Sequence, residues 1–433
     1  MSRISDIVVV YLVRYKPVKT EMVENVIKYT LYSLITLLSG AFIAVILMTA
    51  VWAIPDSLVK RGVNDAENRY RQEGTYDHEI QFFCYTYGSK LIADKPMTDV
   101  ALNGDQTLTP LERGMSVNGY SRYWHGYMIF FRPLLTIFEY GQIRYIMSLL
   151  FLLLIALIVT KLQERTDKAV SVAFILSLGV IHFSVVPFAL HAGIAFYVAF
   201  TSSAVVLHLY NGDRTGLWIW MFHLISGMCM SFFDLLTDPV AGLALPLLFE
   251  LITDEYQDKR TDIKTQFIKC ISASFAWVLG YGLFWAEKWL LGSLILRKNV
   301  LGNATGKVGQ WLEKGENGGV LWAIQKNLFC LLPSGKGVGE LIPFFAIYAV
   351  LLLGLTIVFI RKHDSLDRIR RLIPILFVSA YPYFWMIVMS NHSSVHATFW
   401  VYRTQICSVF GCLAVFLMSL KKKQQVTGKS FFS

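Results

Sequence analysis

The chain lacks the motifs of soluble nucleotide and hydrolase chemistry: it has no P-loop, no GxSxG, no HExxH and no Rossmann glycine pattern. These absences argue against a nucleotide-driven pump and a serine hydrolase. Charged residues are scarce, at 16%, which is too few for the surface of a soluble protein of this length. The six cysteines (Cys84, Cys229, Cys270, Cys330, Cys407 and Cys412) show no CxxC or CxxH spacing that would hold zinc. Cys84 and Cys330 fall in segments expected on one side of a membrane and are either a disulfide or two unlinked thiols. No internal repeat points to the inverted halves of a secondary transporter.

What is abundant is apolar: 55% of the 433 residues are hydrophobic, and the mean hydropathy is +0.49. A transmembrane helix needs about 20 apolar residues to cross about 30 Å of hydrocarbon. Ten stretches qualify or nearly do: 29–54, 143–161, 169–187, 192–210, 216–233, 239–253, 270–292, 341–360, 372–390 and 399–420. The sixth is short, and Pro239 and Pro246 inside it predict a broken or tilted helix. The expected fold is therefore an all-α, polytopic integral membrane protein of about ten transmembrane helices.

The net charge of +10 reads as topology rather than nucleic-acid binding, because the basic residues sit at span ends. With the N-terminus inside, the cytoplasmic segments carry Arg14, Lys16 and Lys19, then Lys161, Arg165 and Lys168, then Arg214, then Lys259, Arg260 and Lys264, then Arg361, Lys362, Arg368, Arg370 and Arg371, and finally Lys421, Lys422 and Lys423. The short loops near 188–191, 234–238 and 391–398 carry no Lys or Arg. Both termini are therefore expected in the cytoplasm. Three regions follow: residues 1–27 as a cytoplasmic or interfacial segment, 28–420 as the membrane domain with long outer loops at 55–142 and 293–340, and 421–433 as a basic tail. The first span is too long for a signal-peptide core and is read as a retained anchor.

The stretch SRYWHGYMIFFRPLLTIFEYGQIRY closes the first outer loop and, with Arg132 and Pro133 inside it, is expected to lie flat in the interface. The second outer loop has glycine-rich pieces around an amphipathic stretch, LWAIQKNLFCLL, and reads as a mobile segment with one interfacial helix.

Ionisable groups at the membrane edge are costly and become candidates for function. In SFFDLLTDPVAG, Asp234 and Asp238 stand four residues apart, and share a face if the helix runs through them. They are either a metal or cation site or a polar turn before Pro239. NHSSVHATFWVYR brings His392, His396 and Arg403, which share one side of the last span if it begins near His392. An arginine there needs an anion, a water-filled cavity or a partner such as Asp234 or Asp238. Lys288, flanked by Trp285 and Trp289 in FWAEKWLLG, is either a phosphate ligand or a snorkelling lysine in an aromatic belt. Arg122 and His125 in RYWHGY suit a phosphate or a sugar, although lipid contact would explain the aromatic residues around them. Candidate general bases in the first outer loop are Asp65, Glu67, Asp77, Glu79, Asp94 and Asp99. His182, His208 and His223 read as satisfied polar packing, with no intramembrane carboxylate between them.

The arrangement of one span, a large acid-bearing outer loop with membrane-parallel helices, and then many spans resembles the GT-C class of polyprenyl-phosphate-sugar glycosyltransferases. RYWHGYMIFFRPLL, SFFDLLTDP, GLFWAEKWL and NHSSVHATFWVYR are similar to motifs of bacterial membrane proteins encoded with cell-wall polysaccharide genes. The resemblance implies an inverting transferase in a bacterial cell membrane. It would move a hexose or N-acetylhexosamine from a polyprenyl-phosphate donor to a wall polysaccharide or teichoic acid. It implies Asp99 or Asp94 as base, by likeness to a DxxTDAxxL pattern from which this sequence departs by an extra residue and Pro96, with Asp65 as a third option. Arg403, His392, His396 and Lys288 would hold the donor phosphate. Arg122, His125, Asp234 and Asp238 would bind substrate, with Mg2+ or Mn2+ as the one cofactor to consider. The rival classes are a transporter or flippase of lipid-linked saccharide, which would need matching polar residues on the inner half of its spans that this chain is not expected to have, and a non-catalytic assembly subunit.

Overall fold

The computed structural model describes residues 18–73, 78–81, 84–87, 105–210, 216–257, 262–312, 319–331, 366–398 and 400–420. Seven helical stretches among them are long and apolar enough to cross a membrane: Val23–Trp52, Tyr140–Arg165, Leu190–Leu209, Gly216–Phe233, Ile263–Leu296, Arg370–Val388 and Val401–Met418. The chain is thus a polytopic helical membrane protein. Its first long helix, α1 (Val18–Trp52), exposes Ile27, Leu31, Leu38 and Phe42. In water such a face would be unstable, whereas in hydrocarbon it is the expected surface.

The ten stretches expected from hydropathy are modified in four places. The third is a helix of 13 residues, α6 (Lys168–Val180), about 20 Å long at 1.5 Å per residue. It ends where His182 turns left-handed (φ 54°) into the 3-10 segment Phe183–Phe188. The sixth is α9 (Ala241–Tyr256), buried at every position from Ala241 to Asp254. It is a central helix sheathed by others, so its shortness and Pro246 are matched by protein rather than by lipid. The ninth is divided at Ala380 into α13 (Leu366–Ser379) and α14 (Tyr381–Val388). The tenth starts as the 3-10 segment Val401–Gln405 and becomes α-helical in α16 (Ile406–Leu420). The stretch 341–360 lies outside the described residues.

The remaining spans are α5 (Tyr140–Arg165), α7 (Leu190–Leu209), α8 (Gly216–Phe233) and α10 (Ile263–Leu296). Their starts obey local rules. Asp167 accepts from the Val170 amide at 3.0 Å and Asp262 from the Thr265 amide at 3.3 Å, capping α6 and α10. Helices α8 and α10 approach through glycine: a Cβ on Gly227 would stand 2.2 Å from the Trp277 carbonyl oxygen, and one on Gly280 2.1 Å from that of Leu224. Small residues at such crossings let backbones close where lipid provides no hydrophobic drive.

One end of the bundle is capped by the two long loops. The first holds α2 (Asp56–Glu73), a two-stranded antiparallel hairpin of β1 (His78–Gln81) and β2 (Cys84–Tyr87), α3 (Pro110–Ser116) and α4 (Met128–Ile137). The hairpin is confined to this loop, and the membrane-spanning part is all-helical among the described residues. Helix α3 begins with a capping box in which Thr109 and Glu112 bond each other's backbone, with Pro110 at the first helical position. Arg132 on α4 points inward rather than into the interface. It donates to the Val51 and Ile54 carbonyls at 3.0 and 2.7 Å and to Asp56, which Arg113 also grips at 2.7 Å. Both guanidiniums lie over the Trp52 ring. Burial raises the Asp56 carboxyl, and hydrogen bonds from the two arginines outweigh it and bring it below its ordinary value. This cluster locks α2, α3 and α4 to the end of α1.

The second loop is more regular than its glycines suggest. Val300–Leu312 is a helix, α11, despite Gly302, Gly306 and Gly309, and Gly319–Phe329 is a helix, α12, at the amphipathic stretch. The loops meet where Arg122 donates to Asn303 at 2.9 Å. Cys330 is a free, buried thiol that donates to the Lys326 carbonyl, so the disulfide expected as one option for it is not formed.

Candidate functional site at the capped end

The polar centre of the capped end lies between the loop 234–240, which joins α8 to α9, and the segment that leads into α16. Helix α8 stops at Phe233, so Asp234 and Asp238 do not share a helix face. Asp234 closes a turn: its carboxylate accepts from the Thr237 amide at 3.0 Å and from the Thr237 hydroxyl. Leu236 within that turn is left-handed (φ 70°). Asp238 differs. One oxygen accepts from the Thr404 hydroxyl, while Oδ2 is buried without a hydrogen-bond partner. Burial pushes Asp234 up to about 6 and Asp238 well above the usual carboxylate range, the latter also through the charge of Asp234.

Arg403 is fully buried beside this pair. Its guanidinium lies 4.6 Å from the ring centre of Trp400 and 4.5 Å from that of Tyr402, and its charge reaches Asp238. The Tyr402 hydroxyl in turn meets His182 Nδ1 at 2.9 Å. The expectation that His392, His396 and Arg403 share one side of a single helix is corrected here. His392 is on α15 (Ser390–Val395), His396 follows its end, and Arg403 comes after a break. The two histidine rings lie tilted to each other, 4.7 Å between centres, with Trp311 of α11 edge-on to both. Burial drives His392 down to about 3 and also lowers His396. Both are neutral at physiological pH, so of the four residues expected to hold a phosphate, Arg403 carries the charge at this place.

The other expected residues are engaged elsewhere. Lys288 is not snorkelling: it is fully buried, donates to the Met115 carbonyl at 2.7 Å and lies over Trp124, tying α3 to α10. Arg122 bonds Asn303 and covers the Tyr120 ring. His125, left-handed at φ 55°, joins the Tyr127 hydroxyl at 2.9 Å to the Tyr120 carbonyl at 3.1 Å, and burial pushes it down to about 3. Asp65 accepts from Arg69 at 2.9 Å and from the Gly141 amide at 3.4 Å at the start of α5. Glu67 pairs with Arg71. Asp77, Asp94 and Asp99 lie outside the described residues, as does the side chain of Glu79.

Asp234 uses both oxygens on Thr237, Asp238 uses one on Thr404, and no group of three His, Cys, Asp or Glu side chains converges among the described residues. Thr404 and Tyr281 escaped the sequence reading, and His182 was read there as polar packing rather than as a neighbour of the site. His182 and Thr404 come to the site from other elements, and the Tyr281 phenol of α10 sits close enough to Asp234 to sense its charge. The one local signal was Thr404 following Arg403. Nothing in sequence joins His182 to Tyr402 across 220 residues.

The buried neutral histidines set a pH response. A histidine takes up its proton near pH 6.5 in an unfolded chain, whereas His125 and His392 resist it down to about 3 when folded. Between those values the unfolded state binds more protons, so stability falls as pH drops from about 6.5 toward 3. The melting temperature is expected to fall between pH 7 and pH 5, and to fall less in an H125Q/H392Q variant, as read by thermal unfolding in detergent.

Compared with protein families, with characterised proteins and with solved structures, the chain matches none.

Proposed function

We propose that the protein is a membrane glycosyltransferase that takes a hexose or N-acetylhexosamine from a polyprenyl-phosphate donor and passes it, with inversion, to a polysaccharide or teichoic acid. In this reading the capped end faces the outside of a bacterial cell and both termini face the cytoplasm. The observation that carries it is a buried guanidinium, Arg403, stacked on the Trp400 and Tyr402 rings and near enough for its charge to act on Asp238, whose Oδ2 has no hydrogen-bond partner. A leaving polyprenyl phosphate needs a planar cation at the membrane edge. The attacking hydroxyl needs a carboxylate to take its proton, and burial makes Asp238 a stronger base than a solvated acid. Trp311, half-buried beside His392 and His396, provides a flat face suited to a sugar ring. The resemblance offers Asp99 or Asp94 for the same proton, and Asp65 after them.

The test supplies purified protein with radiolabelled polyprenyl-phosphate sugars and wall polysaccharide, and compares D238N, D99N, D94N and D65N. The variant lacking the base is expected to lose about 100-fold in transfer. If all four retain full transfer, none of these acids is the base. Absence of transfer from every donor would sink the enzyme reading.

A second reading, a transporter or flippase of the same lipid, is favoured by one observation. Polar residues were expected to be missing from the half of the spans away from the cap. Instead His223 of α8 meets Glu250 of α9 at 3.2 Å, and Lys269 of α10 meets Glu250 at 3.2 Å and Asp254 at 3.0 Å. Faster movement of the lipid across liposomes containing the protein, without label transfer, would select it.

A further inference from the structure

The buried charges at the end of the bundle away from the cap form one connected network. Lys269 Nζ donates to the Tyr210 hydroxyl at 2.8 Å and to Asp254 Oδ2 at 3.0 Å, and pairs with Glu250 Oε2 at 3.2 Å. The Tyr210 hydroxyl donates to Asp254 Oδ2 at 2.9 Å. Glu250 Oε1 lies 3.2 Å from His223 Nε2. The His223 and Glu250 side chains are 0% exposed, whereas those of Lys269 and Asp254 are 11% and 10% exposed. The network therefore runs from a slightly wetted edge to a dry interior.

With both carboxylates ionised, the lysine charged and the imidazole neutral, the group has one negative charge too many. Removing an unbalanced charge from water costs several kcal/mol, and the membrane interior has no counter-ion to offset it. One more proton balances the charge. His223 Nε2 donates to Glu250 Oε1 either as the imidazolium or in the neutral Nε2–H tautomer, so the contact accommodates the extra proton. Three atoms of the network, His223 Nδ1, Glu250 Oε2 and Asp254 Oδ1, are buried without a hydrogen-bond partner, although Lys269 Nζ stands 3.2 Å from Glu250 Oε2. The titratable groups that face His223 and Glu250 are Asp254 from α9, Lys269 and Cys270 from α10, and Tyr210 beyond α7. Helix α1 brings Tyr29, whose ring lies 5.4 Å from that of Trp220 on α8.

We propose that the His223–Glu250–Lys269–Asp254 network is a proton-binding site, holding one exchangeable proton between His223 and Glu250 and reached from the end of the bundle away from Arg403. A hydronium ion at the wetted edge gives up the proton and leaves as water, and release reverses the step. No metal competes for the site, because the Lys269 ammonium already occupies the position a cation would take. The site makes the contacts among α8, α9 and α10 depend on protonation, since all three helices contribute to it. It stands independently of the glycosyltransferase reading.

The test is nitrogen NMR of protein carrying 15N-histidine, in nanodiscs of phosphatidylcholine and phosphatidylglycerol at pH 7.5, with the His223 signal assigned by its loss in H223Q. The expected result is a His223 ring protonated on both nitrogens in the wild type and on one nitrogen in E250Q. A singly protonated His223 in the wild type would overturn the proposal, as would an E250Q spectrum that keeps both protons. The wild-type spectrum decides the first point even if E250Q does not fold. In K269M the lost ammonium should draw in a further proton, seen as a protonated-carboxyl band in the infrared that E250Q/K269M or D254N/K269M reduces. Absence of that band in folded K269M counts against charge balance as the cause.

Discussion

On the proposed glycosyltransferase reading, replacing Arg403 with alanine is expected to lower sugar transfer by about 100- to 1,000-fold, the range seen when one preorganised donor to a developing negative charge is removed. The guanidinium is held between Trp400 and Tyr402, so its orientation is set before a phosphate arrives and little reorganisation is needed at the moment of bond cleavage. R403K keeps the charge but loses the planar fork and the stacking on both rings, and is expected to recover a small part of the loss. The effect should fall on kcat, because the charge on the leaving phosphate grows as the glycosidic bond breaks. A unit change in KM with kcat preserved would place Arg403 in ground-state binding alone. Because the residue is fully buried, the comparison requires variants that elute and melt like the wild type.

Removing the ammonium of Lys269 is expected to cost about 3–5 kcal/mol of stability, because Glu250 and Asp254 lose their buried cation and one of them must take up a proton to stay in the interior. The size comes from breaking the balance rather than from the strength of either pair. E250Q/K269M, which removes a charge of each sign, should therefore melt closer to the wild type than K269M does. Thermal unfolding of the four proteins forms a double-mutant cycle. Simple additivity of the two single losses would show that Lys269 and Glu250 are not energetically coupled.

Hydropathy and the alternation of basic residues made the membrane class legible, because an apolar run of span length has one economical place to go and the positive charges at its ends have one preferred side. Helix starts at Thr109, Asp167 and Asp262 were equally local, since a cap needs a residue and its neighbour three positions on. The burial of Arg403 was also readable, from a charge placed inside an apolar segment without an acid nearby in sequence. What could not be read was which polar groups meet. Lys288 looks the same in sequence whether it snorkels or turns inward to Met115, and only the approach of α3 to α10 decides between them. His223 has no acid near it in the chain, and finds Glu250 27 residues later because α8 and α9 lie side by side. The sequence by itself determined the solvent each segment prefers, a property of composition over a span's length. The tertiary structure decided the pairing of buried charges, because the low dielectric forces every such group to a partner wherever the helices bring one within about 3 Å.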